Sequence, residues 1–278
     1  MRLDQIWRYP VKSMVGSRVT RAEIATPGMV GDRRWAVRDE ELGGIRGAKR
    51  FGALMTAAAV ETADGRTLIR FPDGSVLEAT DPLVHARLSE LVGAQVTLRA
   101  LADASDLDHF RRGAPVEPDL LDELRSIFGR LEDEPLPDLS VFPPEIIEFE
   151  SPPGTHHDAF PLLVMSTSSL RSLSEALPEA TIDVRRFRPS VVIDTAEEPG
   201  HPEFGWVGRR LRIGEVELEI GAPCPRCVMV TRAVSQEIGE DRSILRHIVR
   251  DLDQNLGVYA TVITPGAIEE GDRVTLLD

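Results

Sequence analysis

The sequence predicts an α+β protein that is mainly β. Three observations carry this. Short apolar or alternating runs recur between turn signals along most of the chain. The helices come singly and do not alternate regularly with the strands, which argues against a doubly wound sheet. A proline-rich, acidic stretch over 132–154 separates two halves. Many short strands with scattered helices point to barrel-like or α+β packing.

The N-terminal third is strand-rich. Trp35-Ala36-Val37, Thr67 to Phe71 and Val96-Thr97-Leu98 are short runs between turns, and Pro72-Asp73-Gly74-Ser75 turns the chain into Val76-Leu77. Asp81 caps a helix in which Pro82 fits the first position. Val84, Leu88 and Leu91 share a face of it, and Gly93 ends it. A second helix carries Leu120, Leu124, Ile127 and Phe128 and stops at Gly129. From Glu132 to Gly154, Pro135, Pro137, Pro143, Pro144, Pro152 and Pro153 remove backbone donors, so irregular structure with a solvated acidic surface is expected.

Phe160 to Met165 reads as a buried strand. A helix follows with Leu170, Leu173 and Leu177 on one face, ended by Pro178. Val191-Val192-Ile193 is another strand. Val216, Leu218 and Ile220 alternate with Glu217 and Glu219, a half-buried strand that Gly221-Ala222-Pro223 is expected to end. Val228-Met229-Val230-Thr231 is β-branched and reads as the next strand. Asp241 opens an amphipathic helix through Ile244, Ile248 and Leu252, with Gly257 expected to close it. Val258 to Ile263 and Val274 to Leu277 are closing strands.

The chain has 278 residues and a formal net charge of −14, which argues against non-specific binding to nucleic acid or anionic membrane. No stretch approaches the roughly 20 apolar residues of a membrane span. Met1-Arg2-Leu3-Asp4 has no apolar signal core. Two cysteines are no disulfide framework, so a reducing cytoplasm is the expected compartment.

Both cysteines sit in Cys224-Pro225-Arg226-Cys227. Thiolates are nucleophiles and soft metal ligands. A thioredoxin-type pair needs a helix after its first cysteine, and a structural zinc site needs a second pair or spaced histidines. Neither is present. Three readings stay open: reduced thiols in a buried turn, a single-ligand metal site, and a redox dithiol. Three basic clusters accompany the window: Tyr9-Pro10-Val11-Lys12-Ser13, Gly31-Asp32-Arg33-Arg34-Trp35, and Arg185-Arg186-Phe187-Arg188-Pro189-Ser190. Any one arginine alone is better read as neutralising a neighbouring carboxylate. Together, in an acidic protein, they point to a phosphate-bearing ligand. Pro189 is expected to hold Arg188 extended. Ser168-Ser169 reads as a helix cap. His156-His157 is expected to face opposite ways, with Asp158 just ahead of the buried strand.

These motifs, in this order and with Gly271-Asp272-Arg273-Val274 at the end, resemble the MOSC-domain proteins. The likeness includes the N-terminal β-barrel domain that precedes MOSC in the mitochondrial amidoxime-reducing components and their bacterial relatives. It implies a β-barrel-like N-terminal domain over 1–100, an irregular connecting segment over 101–154, and a β-barrel-like MOSC domain with peripheral helices over 155–278. It implies a molybdenum cofactor (molybdopterin) with Cys224 as the metal ligand and Asp158 as a further catalytic residue. Lys12, Ser13, Arg33 and Arg188 map to positions that hold the pterin and its phosphate. Arg226 and Ser190 join them as expected contacts, Ser190 standing where relatives commonly carry Asn. A pyridoxal-phosphate label also travels with the family. The expected activity is reduction of N-hydroxylated substrates such as amidoximes. There are no spare cysteines for an iron–sulfur cluster, so electrons are expected from a separate ferredoxin-, flavoprotein- or cytochrome b5-like donor. The alternatives are a cofactor carrier or sulfur-handling protein without turnover, and a thiol-redox protein.

Overall fold

The computed structural model describes the backbone of residues 1–278 and every side chain except that of Val141. Its centre is an eight-stranded sheet. In spatial order the strands are Val274–Leu277, Arg210–Ile213, Val216–Pro225, Asn255–Thr264, Leu162–Ser166, Val191–Asp194, Arg2–Arg8 and Ser17–Val19. Neighbours run antiparallel except Leu162–Ser166 and Val191–Asp194, which are parallel. Strands Arg2–Arg8 and Ser17–Val19 therefore belong to a sheet otherwise built from the C-terminal half. Three three-stranded sheets complete the β structure, and among the described residues no pairing closes a barrel. The protein is mixed α and β, mainly β.

Alternation explains the packing. Leu211 and Ile213, then Val216, Leu218 and Ile220, point inward and join Leu3, Ile6, Val164 and Val258 in one core. A second core lies under the N-terminal sheets around Val11, Met14, Val37, Leu54 and Leu88. A third lies between helices Thr167–Ala176 and Arg242–Asp251, around Leu173, Ile244 and Ile248. Three expected helix ends are present. The Asp241 carboxylate accepts from Ser243 N at 2.9 Å, and Gly93 and Gly129 end their helices in the left-handed region. No helix is long and apolar enough to cross a membrane among the described residues.

Three expectations are corrected. Gly221-Ala222-Pro223 does not end its strand. Val216–Pro225 runs on through Cys224, with irregular register against Asn255–Thr264. Gly257 does not close the preceding helix, which ends at Asp251. It lies inside Asn255–Thr264 with φ +75°, where a Cβ would fall 2.8 Å from Met165 Cγ and 2.9 Å from the Val164 carbonyl. Only glycine fits there. Val228–Thr231 is a 3₁₀ turn, not a strand. Val230 is buried in the third core, and Arg186 donates to the Arg232 carbonyl at 3.0 Å. Tertiary anchoring overrides the β-branched composition.

Candidate functional site

The end of strand Val216–Pro225 brings Cys224 to the wall of a cavity of about 100 Å³. Arg33, Asp158, Arg188, Arg226 and Tyr259 also line it. Cys224 is buried and unbridged. Arg226 Nη1 lies 3.1 Å from its sulfur, and Nη2 donates to the Phe187 carbonyl at 2.6 Å. One guanidinium thus ties the thiol to the short helix Val184–Phe187 that carries Arg188. Tyr259 stacks on Phe160 at 4.6 Å. Burial, then the neighbouring Cys224, holds the Tyr259 hydroxyl well above its ordinary range. Cys227 is half-buried and begins the 3₁₀ turn. The two cysteines are therefore inequivalent.

Arg188 sits over the Tyr9 ring, 4.2 Å from its centroid, and donates to the Met14 carbonyl. Arg33 stacks on the same ring at 5.6 Å and pairs with Asp32. The Tyr9 hydroxyl donates to the Pro189 carbonyl at 2.9 Å, joining the first basic cluster to the third. Burial, then Arg33, pulls Arg188 down to about 10. Arg188 is not extended as Pro189 predicts. It caps its short helix at φ +57°, ψ +47°. Among the described residues six non-glycine residues have positive φ, and Ser13, Arg33 and Arg188 are three of them. Backbone strain of this kind clusters where the surroundings over-determine a conformation for function.

Lys12 is buried. Its ammonium donates to Asp158 Oδ1 at 2.6 Å and to the His156 carbonyl at 2.7 Å. Lys49 reaches Asp158 Oδ2 at 3.2 Å. Burial pulls Lys12 down, with Asp158 opposing. Burial works to raise Asp158, but the two ammoniums hold it well below the usual carboxylate range. Asp158 is exposed at the mouth all the same. His156 and His157 turn to different partners, the Arg33 carbonyl at 3.0 Å and the Pro27 carbonyl at 3.2 Å, so they do not chelate together.

Two other expected residues lie elsewhere. Ser13 Oγ accepts from Ala48 N at 2.9 Å, and Ser190 Oγ accepts from Leu163 N at 3.2 Å. Neither is in the cavity wall, and Lys12 is reached only through Asp158. In the third basic cluster, Arg185 pairs with Asp183 at 2.8 Å, and Arg186 clamps three carbonyls. Arg34 faces Glu61 at 3.7 Å. The Ser168-Ser169 cap is one turn early: Ser166 Oγ accepts from Ser169 N at 3.0 Å.

Two family models match the chain: the MOSC domain over residues 153–275 and the MOSC N-terminal beta barrel domain over residues 1–108. The chain belongs to the MOSC family. This MOSC chain is 27% identical to mouse mitochondrial amidoxime-reducing component 1, over 98% of its own length and 81% of the relative's. The human protein of that name is 26% identical, over 98% and 82%. A molybdenum cofactor sulfurase of Drosophila grimshawi is 39% identical, over 28% of the chain and 9% of that protein. Among solved structures, the YUAD protein from Bacillus subtilis aligns over 99% of the chain and 94% of its own, with TM-score 0.46 and 10% identity. A molybdenum-cofactor association is thus a property of the family.

Sequence reasoning missed Tyr9 as a stacking platform, Lys49 as the second cation on Asp158, and Tyr259 beside Cys224. Tyr9 lies inside the recognised Tyr-Pro-Val-Lys-Ser motif, whereas Lys49 lies outside every motif named above. Tyr259 carries no local signal, since only the pairing of Ala222 with Tyr259 brings it to the cysteine.

Proposed function

We propose that this protein binds a molybdenum cofactor through the Cys224 thiolate and reduces N-hydroxylated substrates with electrons from a separate donor protein. One observation carries the reading: a buried thiol, the soft donor such a metal needs, faces the guanidiniums of Arg33, Arg188 and Arg226 across one cavity. Two of these arginines hold strained left-handed backbone. The donor set fits the group chemically, with the thiolate for the metal and arginine forks for the phosphate. About 100 Å³ is small beside the roughly 300–1,000 Å³ of ordinary ligand pockets, so loading requires the lining side chains to part.

When bound, the cofactor supplies the two-electron redox chemistry. Overall, R–NH–OH takes two electrons and two protons, the N–O bond breaks, and R–NH2 and water leave. The chain's own groups bind and orient. Arg226 fixes the Cys224 sulfur against the Val184–Phe187 helix. Asp158, kept ionised by Lys12 and Lys49, accepts a hydrogen bond from a substrate N–H at the mouth and does not donate a proton at neutral pH. Cytoplasmic residence suits the two free thiols.

The test is purification from a host that makes the cofactor, followed by assay of molybdenum, of the oxidised fluorescent pterin, and of benzamidoxime turnover with dithionite. Absence of both metal and pterin refutes the reading. Metal and pterin without turnover would favour the second reading, a carrier or sulfur-handling protein, which the partial likeness to molybdenum cofactor sulfurase supports.

A further inference from the structure

The chain's acidity is unevenly placed. Residues 101–154 hold 14 acidic and 4 basic side chains, a net −10 of the chain's −14. Apolar exposure concentrates in the same fifth of the chain. Of 14 exposed large hydrophobic residues among those described, eight lie there, including Leu120, Leu121 and Val116 at 74%, 44% and 47% exposure. Leu120 and Leu121 open helix Leu120–Phe128, and Val116 lies in the loop just before it. Glu123 on the first turn of the helix accepts from the backbone N–H groups of Val116 at 3.0 Å and Glu117 at 2.9 Å, folding the preceding loop onto the helix. Asp122 beside them is exposed and forms no ion pair among the described residues. Elsewhere in the segment, Glu134, Glu148 and Glu150 are matched by Arg246, Arg111 and Arg112.

The other end of this helix rests on the cysteine turn. Gly129 packs so closely on Val228 that a Cβ would lie 3.1 Å from it. Buried Arg130 then donates to the Arg226 carbonyl and to Gln254 Oε1, both at 3.1 Å. A nine-residue helix is about 13 Å long, so a partner on its first turn stays on that order of distance from the turn holding Cys224 and Cys227.

We propose that the first turn of helix Leu120–Phe128, with its apolar centre Val116, Leu120 and Leu121 and its rim Glu117 and Asp122, is the docking surface for a basic electron-donor protein. This rests on the reductase reading above and names its partner. Electrons pass from the reduced donor to the site behind the helix, and the two protons come from water. An apolar centre inside a charged rim is the anatomy of a transient interface, and the rim selects a partner of opposite sign. A second copy of this chain is disfavoured, because it would bring the same acidic surface against itself.

The experiment uses the full, cofactor-loaded chain. Cytochrome c serves as the basic redox-protein probe, with affinity measured at low and moderate salt. Glu117→Lys/Asp122→Lys should weaken binding about tenfold and flatten its salt dependence. Leu120→Ser should weaken binding about fivefold and leave the salt slope unchanged. The control Glu175→Lys/Glu179→Lys makes the same charge change on exposed positions elsewhere and should alter affinity less than twofold. Circular dichroism confirms that each variant is folded, and benzamidoxime turnover with dithionite should match the parent in all of them. Equal weakening by patch and control variants would overturn the proposal, since bulk charge alone would then explain binding. A concentration-dependent dimer in sedimentation that Leu120→Ser disperses would also overturn it, in favour of a second copy. Absence of dithionite turnover in the loaded parent would overturn the reductase reading, and the donor role with it, whatever the binding shows.

Discussion

Replacing Arg188 by alanine and by glycine separates two backbone geometries by the sign of one difference. Arg188 has φ +57° and ψ +47°, the left-handed region. Both replacements lose the stack on Tyr9 and the bond to the Met14 carbonyl, so these losses cancel between them. Alanine keeps the left-handed strain, about 1–2 kcal/mol for an L-residue. Glycine escapes it and loses about 0.4–1 kcal/mol to a freer unfolded chain. The glycine variant should therefore be more stable by about 0.5–1 kcal/mol. In a protein of this size that is roughly 1–4 °C in thermal midpoint. The assay is differential scanning of both proteins under one set of conditions. If Arg188 were extended before Pro189, the order would reverse, because glycine in extended chain is the weaker residue. An alanine variant equal to or more stable than the glycine variant would refute the assignment.

Three further outcomes follow from the site. Cys224→Ser should abolish molybdenum retention while the fold survives, whereas Cys227→Ser, at a half-buried cap, should keep most of the metal; equal loss in metal analysis would give the site to a dithiol. His156 and His157 are each pushed down to about 3, first by burial and then by Lys12 and Arg33 respectively. The unfolded chain takes up protons below about pH 6.5 that the folded chain refuses, so stability should fall as pH drops from about 6.5 to 3, by up to about 1.4 kcal/mol per pH unit per histidine. Thermal midpoints across that window should fall less steeply in His157→Gln, and an unchanged slope would count against the assignment. Ser190→Ala removes the acceptor for Leu163 N–H and should cost about 1 kcal/mol in thermal unfolding without lowering pterin content; a pterin loss would place Ser190 in the cofactor site.

The local parts of this structure were legible. Asp241, Gly93 and Gly129 act where helix-end chemistry puts them, because caps are contacts between residues two to four apart. The cysteine window and two of the three basic clusters do reach one cavity. What escaped depends on distant partners. Val228–Thr231 has strand composition but turns because Arg186 and the third core hold it. Arg188 defies its proline because Tyr9 and the Met14 carbonyl position its side chain. Arg186 looked like a phosphate ligand in sequence, and only the carbonyls of Thr181, Arg232 and Gly239 around it show a clamp.

The place of strand Arg2–Arg8 sets an order of events during synthesis. The contact between Tyr9 and Pro189 spans 180 residues, and the partner strand Val191–Asp194 lies farther downstream still. At about 5–20 residues per second, the ribosome needs roughly 9–36 seconds to make that stretch. Through that interval the strand has one partner, the short strand Ser17–Val19, and an open edge. Tyr9 waits equally long for Arg188. The N-terminal half thus leaves the ribosome with the Tyr9 ring half covered, and Arg33 and Arg188 meet over it only when the parallel strand pair Leu162–Ser166 and Val191–Asp194 has formed. The stacking of both guanidiniums on Tyr9 is therefore a late event, set by a loop closure of 180 residues.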